Sequence, residues 1–300
     1  MQDPRKLLAE DEIVSTLQPT IIEVDDTNLR RLSARPGLRK YLAQIWQRRH
    51  FIWAEARNKA FSRGRDMYLG RAWVVLQPIL DSAVYILVFG VVLKISKSID
   101  YFIGYLVIGV IFFGFITRGI NSGAGLIQSS KGMISSFSFP KAALPLSLTV
   151  KQLLDNVAPA IVGLLIAFLY HGLVPSFAVL AVPIIFLMIH LFTLGAMLIV
   201  ARVTAFIPDL KALVSTFTQG LFFVSGVFFD IHRFDSNETI QSIMLANPAY
   251  QFLTAVREAT IYQTVPPLGR WLYLVVWTLG LLIIGLIFFW EAEERYSHVR

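Results

Sequence analysis

Cysteine is absent from the 300 residues, so the chain has no disulfide framework, no thiolate metal site and no cysteine nucleophile. Charge is scarce too: 16% of residues are charged against 55% hydrophobic, where soluble chains average about 25% charged. A chain this short of polar surface reads as a membrane protein. No window supplies the phosphate-cradling pattern G-x-x-x-x-G-K-[ST], so any nucleotide hydrolysis belongs to another chain. The five histidines (His50, His171, His190, His232 and His298) lie far apart in sequence and outside any H-E-x-x-H arrangement, which speaks against a metal centre. Acid is rare in the inner loops, where Asp209 stands nearly alone, so a site for a divalent ion and pyrophosphate is not expected there. Within the apolar runs the ionisable residues are few: Asp81, and Lys151 with Asp155 four residues on. That spacing suits an ion pair that fixes helix packing, and the scarcity disfavours proton or sodium coupling.

Six apolar stretches are present, at 73–93, 101–117, 146–170, 176–201, 212–229 and 271–290. Each comes near the roughly 20 residues that a helix needs to cross about 30 Å of hydrocarbon. None alternates with the period of a barrel strand, so the expected fold class is an all-α polytopic membrane protein with six transmembrane helices. Of 27 Lys and Arg, 14 precede Trp73, and Arg48, Arg49, Arg57, Lys59, Arg63, Arg65 and Arg71 crowd the approach to the first span. The positive-inside rule then places both termini in the cytoplasm, with Arg118, Lys131, Lys141, Arg202 and Lys211 on the same side. The net charge of +7 is therefore read as a topology signal and not as a nucleic-acid surface.

Residues 1–36 are polar, mix both charge signs and lack a signal-peptide core; they are expected to form a flexible cytoplasmic arm. Over 37–64, Leu38, Tyr41, Leu42, Ile45, Trp46, Ile52, Trp53 and Ala56 recur at helical spacing. This predicts an amphipathic interface helix on the inner membrane surface with Trp46 and Trp53 at headgroup depth; the alternative is a stripe packed against protein. The six-span body then runs over 65–290, followed by a cytoplasmic tail at 291–300. Between the fifth and sixth spans, Ile240, Ile243, Met244 and Leu245, then Phe252, Leu253 and Val256, predict two short amphipathic helices broken at Pro248. Aromatics crowd two spans: Phe112, Phe113, Phe115, Phe217, Phe222, Phe223, Phe228 and Phe229. Each singly is read as packing, although such rings could also line a passage that slides sugars along their faces.

Three separated segments carry a resemblance. At the approach to the first span, Arg65, Tyr68, Gly70, Arg71, Trp73, Leu76 and Pro78 stand in the run RDMYLGRAWVVLQP. Between the second and third spans come Lys131, Phe139, Pro140, Lys141, Leu144 and Pro145, and after the fifth come Asn247, Pro248 and Tyr250, with Arg257 and Glu258 further on. In this order they resemble the permease subunits of polysaccharide ABC exporters, the family that handles O-antigen, teichoic acid and cell-wall galactan. The long polar arm is similar in style to the actinobacterial galactan branch. The chain departs from the family pattern at Pro208-Asp209, where Arg-Asp is usual, and at Ser225-Gly226, where Pro commonly follows Ser.

The resemblance implies a transport subunit, not an enzyme, that works as a homodimer with an ABC ATPase partner in the bacterial plasma membrane. ATP and Mg would sit on the partner, and this chain would hold no cofactor. The expected cargo is a polyprenyl-pyrophosphate-linked polysaccharide moved outward for cell-wall or surface biogenesis. The alternatives are an ABC exporter of a smaller glycolipid or drug, an ion-coupled lipid-linked-glycan flippase, and a membrane enzyme of lipid-linked glycan assembly. The 131–145 loop, with Lys131, Phe139, Pro140, Lys141 and Pro145, would dock on the ATPase. The two helices after the fifth span would re-enter the membrane as an outer gate containing Asn247, Pro248 and Tyr250. Polymer would slide along Phe112, Phe113, Phe115, Phe222, Phe223, Phe228 and Phe229. Arg65 and Arg71 inside, with Arg233 and Arg257 outside, would hold the lipid pyrophosphate, and on that expectation Arg257→Ala impairs export while leaving assembly intact.

Overall fold

The computed structural model describes residues 36–62, 70–94, 99–231 and 237–298. The expected arm, apart from Pro36, falls outside these residues, as do Arg65, Tyr68 and Arg233 and the side chain of Arg71. The described residues are helical, with no strand among them.

Two helices, α1 (Leu38–Gln47) and α2 (Arg49–Ser62), meet at a turn on Arg48 where a single interface helix was expected. The first long helix, α3 (Trp73–Tyr85), continues as a π-helical turn through Ile86–Val92. Pro78 sits inside α3 without an N–H to donate, and the Ser82 hydroxyl donates to its carbonyl at 2.7 Å. Helix α4 (Phe102–Asn121) is followed by the short α5 (Leu126–Ser129) and α6 (Lys131–Ser136). Then come α7 (Ala143–His171) and α8 (Ala181–Phe206), the latter entered through a 3-10 turn at Phe177–Leu180. The last group is α9 (Leu210–Val224), α10 (Glu238–Leu245), α11 (Pro248–Thr260) and α12 (Leu268–Glu291).

Five of the six expected spans are helices long and apolar enough to cross a membrane: Trp73–Val92, Phe102–Asn121, Ala143–His171, Phe177–Phe206 and Leu268–Glu291. The exception is α9, whose 15 residues reach about 22 Å at 1.5 Å each, short of a 30 Å core. Its helix ends at Ser225 because Gly226 takes a left-handed backbone, φ 63°, and the aromatic run that follows is not helical.

Burial sorts the long helices. α4 and α8 are mostly enclosed, and α3 and α12 mostly expose their apolar side chains. Residues of α4, α8 and α11 build the main core, with Leu106, Ile108, Phe112, Ile185, Ile189, Phe252 and Val256 inside it. Helix α12 lies along α8 closely enough for backbone to meet backbone: a Cβ on Gly195 would come within 2.5 Å of the Leu281 carbonyl, and one on Gly285 would strike the Gly195 carbonyl. A second, smaller core closes the end of the bundle that carries α1, the α5–α7 loop and the segment after α12, with Tyr41, Ile127, Ile134, Leu144, Met197, Phe289 and Tyr296 buried together.

Candidate functional site

The helix α3, the inner face of α4 and the side of α9 enclose a cleft of about 580 Å³. One wall follows from a four-residue spacing in α3 and its π-helical extension, which aligns Asp81, Tyr85 and Phe89. The facing wall offers Phe113, Thr117 and Asn121 of α4, and Ser215, Thr218, Gln219, Phe222 and Phe223 of α9, with Phe228 just beyond. Asn121 Nδ2 donates to the Thr218 hydroxyl at 3.0 Å and ties α4 to α9 across the floor. At the other end the rings interlock: Phe89 stacks on Phe228 with centroids 4.0 Å apart, and Phe222 meets Phe228 edge-on at 4.6 Å. Tyr85 and Phe113 approach Phe222 at 5.5 and 5.1 Å.

Of the seven aromatics expected along a passage, Phe113, Phe222, Phe223 and Phe228 line this cleft. Phe229 adjoins it, edge-on to Phe89 at 6.0 Å. Phe112 and Phe115 are corrections: both are buried in the main core, Phe115 against Phe186. Successive residues of a helix point about 100° apart, so Phe113 faces the cleft while the Phe112 and Phe115 rings turn into the core. Tyr85, Phe89 and the polar floor were not assigned from the sequence, yet the i,i+4 stripe of Gln77, Asp81, Tyr85 and Phe89 in an aliphatic span was a readable signal.

A smaller polar cavity of about 360 Å³ adjoins the cleft and shares Asn121; Gln77, Arg118, Gln152 and Asn156 line it together with Lys151 and Asp155. Lys151 Nζ lies 2.5 Å from Asp155 Oδ2, the i,i+4 pair expected from spacing. Asn156 Nδ2 contacts His190 Nε2 at 3.0 Å, so that histidine is a partner inside the bundle. Among the described residues no group of three His, Cys, Asp or Glu comes together as a metal site.

At the second core, the loop residues are drawn into a junction built on Glu293. Its carboxylate accepts from the Tyr41 hydroxyl at 2.7 Å and from the Lys141 backbone N–H at 2.8 Å, with Lys141 Nζ at 3.6 Å. The Tyr41 oxygen in turn accepts from the Ala142 N–H at 3.1 Å. Burial pushes the Glu293 carboxyl above the usual carboxylate range, against the pull of the hydrogen bonds from Lys141 and Tyr41. Burial beside Glu293 also pushes the Tyr41 phenol up, so it stays a donor. Pro140 and Pro145 are buried, and Phe139 is half-buried with its ring 5.8 Å from Phe51. Lys131 is exposed, as is Phe137 at 67%. The segment after α12 is therefore not a free tail over the described residues, since Glu293 and Tyr296 are buried. The apolar stripe of α1 and α2 divides: Tyr41, Ile52, Ala56 and Ala60 are buried, α2 packs on α7, and Trp46 and Trp53 stay exposed at 70% and 51%.

At the opposite end the two short helices stand as expected, broken at Asn247-Pro248. The Asn247 side chain accepts from the Ala249 N–H at 2.9 Å, and its amide donates to the Ser225 hydroxyl at 2.9 Å. A Cβ on Gly226 would meet the Tyr250 ring at 2.7 Å, so glycine is needed there for space as well as for its backbone angle. Arg257 corrects the sequence reading. Its side chain is 1% exposed, and its guanidinium donates to the carbonyls of Tyr105, Gly226 and Val227 at 2.9–3.2 Å. It also lies 3.4 Å from the Tyr105 ring centre, so it organises the end of α9 and is not presented to a ligand.

Five helices long and apolar enough to cross a membrane, with a cleft between three of the helices, are the architecture of a multi-pass membrane protein. The chain belongs to the ABC-2 type transporter family, whose model matches residues 50–261. It is therefore a permease, a transport component without an ATPase site of its own, and a multi-pass membrane protein. Among its relatives is the O-antigen export system permease protein RfbA of Myxococcus xanthus, 25% identical over 262 residues that cover 87% of this chain and 96% of that one. A protein of the same name from Klebsiella pneumoniae is 23% identical, covering 79% and 90%. The polysialic acid transport protein KpsM of Escherichia coli is 22% identical, covering 75% and 87%.

Proposed function

We propose that this chain is the membrane subunit of an ATP-driven exporter that moves a polysaccharide linked to polyprenyl pyrophosphate outward across the bacterial inner membrane. The observation that carries the reading is the cleft between α3, α4 and α9, where Phe113, Phe222 and Phe228 lie beside hydroxyl and amide groups. Aromatic faces stack on sugar rings, and hydroxyls and amides trade hydrogen bonds with any of them, which suits a repeating polymer in transit. The cleft is open on one side, and two copies facing each other would close it into a passage. Two ATPase chains, carrying ATP and Mg, would complete the assembly. The names of the relatives, O-antigen export and polysialic acid transport, support a polysaccharide cargo.

In this reading α9 is the fifth of six spans, lengthened by the 225–229 segment, and both termini are cytoplasmic. Helices α10 and α11 re-enter as a gate, a view supported by the enclosure of α11 among α4, α8 and α12. The ATPase docks on the exposed face of α6 around Lys131 and Phe137, while Phe139, Pro140, Lys141 and Pro145 form the frame behind it. Arg65, Arg71 and Arg233 are the cations left for the pyrophosphate.

Affinity purification of the chain from its native membrane tests this. It is expected to bring down an ATPase subunit in equal amount, with ATP turnover, and a polyprenyl-linked glycan. Recovery of neither with the dimer intact overturns the proposal in favour of a stand-alone flippase or enzyme. Ser215→Trp, a bulky side chain placed on an exposed position in the cleft, is expected to stop export of every polymer.

A further inference from the structure

Among the described residues that line the cleft there is one acidic group, Asp81, and no basic one. Asp81 is exposed, near the middle of Trp73–Val92 and one helical turn from Tyr85, so its carboxylate lies on the wall a polymer would pass. The nearest described cations lie in the adjoining cavity. Lys151 is held by Asp155 at 2.5 Å, and the Arg118 guanidinium donates to Asn156 Oδ1 at 3.5 Å. Apart from Val110 and Gly114, the remaining described lining of the cleft is aromatic, hydroxyl or amide in character.

We infer that Asp81 is a charge filter, which makes this exporter a carrier of uncharged polysaccharide and excludes polymers with an acidic group on each sugar. The inference rests on the cleft being the passage, as proposed above. Low-dielectric walls strengthen the repulsion between Asp81 and a passing carboxylate, and that repulsion recurs at every acidic sugar, whereas the carrier's pyrophosphate meets it once. In a two-copy assembly the filter is presented twice. Uncharged hexoses meet no such barrier and keep the ring stacking and the exchange of hydrogen bonds with Thr117, Ser215 and Gln219. The filter selects by excluding the wrong cargo, not by binding the right one more tightly.

The test uses the permease with its ATPase partner in proteoliposomes. The probes are polyprenyl pyrophosphate carrying an uncharged hexose polymer and the same lipid carrying polysialic acid of equal length. The readout is the ratio of anionic to uncharged polymer transported. The wild type is expected to favour the uncharged polymer. Asp81→Asn should raise the ratio roughly tenfold, the order expected for one unit charge about 10 Å from another at an effective dielectric near 20. Asp81→Lys should raise it further, and Asp81→Glu should return the wild-type ratio. A ratio unmoved by Asp81→Asn and Asp81→Lys, in a system where Ser215→Trp stops both polymers, overturns the filter and leaves the passage standing. Continued export by Ser215→Trp overturns the passage and the filter with it. A wild type that favours polysialic acid also overturns the filter.

Discussion

The guanidinium of Arg257 joins the Tyr105 carbonyl within α4 to the Gly226 and Val227 carbonyls just past the end of α9. Its removal takes the donor from the buried Val227 carbonyl, at about 1–3 kcal/mol, while the Gly226 carbonyl keeps the Tyr105 hydroxyl at 3.0 Å. Arg257→Ala is thus expected to lower the melting temperature of the purified chain and to promote aggregation on gel filtration. Arg257→Lys should do nearly as badly, because an ammonium lacks the planar fork that reaches several carbonyls at once. Normal folding of either variant would return Arg257 to the list of ligand-facing cations. Glu293 makes a different prediction. Because its folded value lies above that of the unfolded chain, its contribution to stability is fully present below the ordinary carboxylate value and is lost as pH rises through the raised one. Hydrogen exchange at 36–47 and 137–142 should therefore speed up as pH climbs through that value, and Glu293→Gln should remove the dependence. Neither residue's part could be read from the sequence. An arginine in the last turns of a short helix and a glutamate in the charged C-terminal segment look like surface charge until the fold brings Tyr105 and Tyr41 to them.

Helices were the most legible part. Long apolar runs with few ionisable residues gave the five long spans within a few residues, since hydrophobic length decides them. The break at Pro248 was legible for the same local reason, a residue that can start a helix but not continue one. Beyond local pattern the reading weakened. The phenylalanine run of α4 could not be divided between core and cleft without knowing which face meets α7 and α8. The interface stripe, likewise, gave no sign that α7 would claim its tyrosine side and leave its tryptophans bare. Trp46→Ala with Trp53→Ala is expected to loosen the seating of α1 and α2 on vesicles, read as reduced protection from an added protease; unchanged protection would assign those rings to a protein partner. The contact between α8 and α12 is a stronger constraint. Gly285→Leu forces the two backbones apart where Gly195 and Leu281 already touch, and should cost about 1–3 kcal/mol or prevent assembly, seen as lost monodisperse protein.

At the scale of the whole molecule, the 15 residues of α9 decide the side of the membrane on which α10 and α11 lie. The absence of native cysteine makes the test clean. In intact cells an impermeant maleimide is expected to label Ser242→Cys and to spare Gly132→Cys, both exposed positions. Equal labelling of the two would place them on one side and reduce the count to five. The junction on Glu293 also orders the chain in time. Tyr41 leaves the ribosome 252 residues before the carboxylate that fastens it, so throughout synthesis of the spans its hydroxyl and the Lys141 N–H await their acceptor. The interface helix is thus among the first pieces made and among the last to be locked, and a nascent chain stalled short of residue 293 would present the cell's quality control with a finished bundle whose latch is still open.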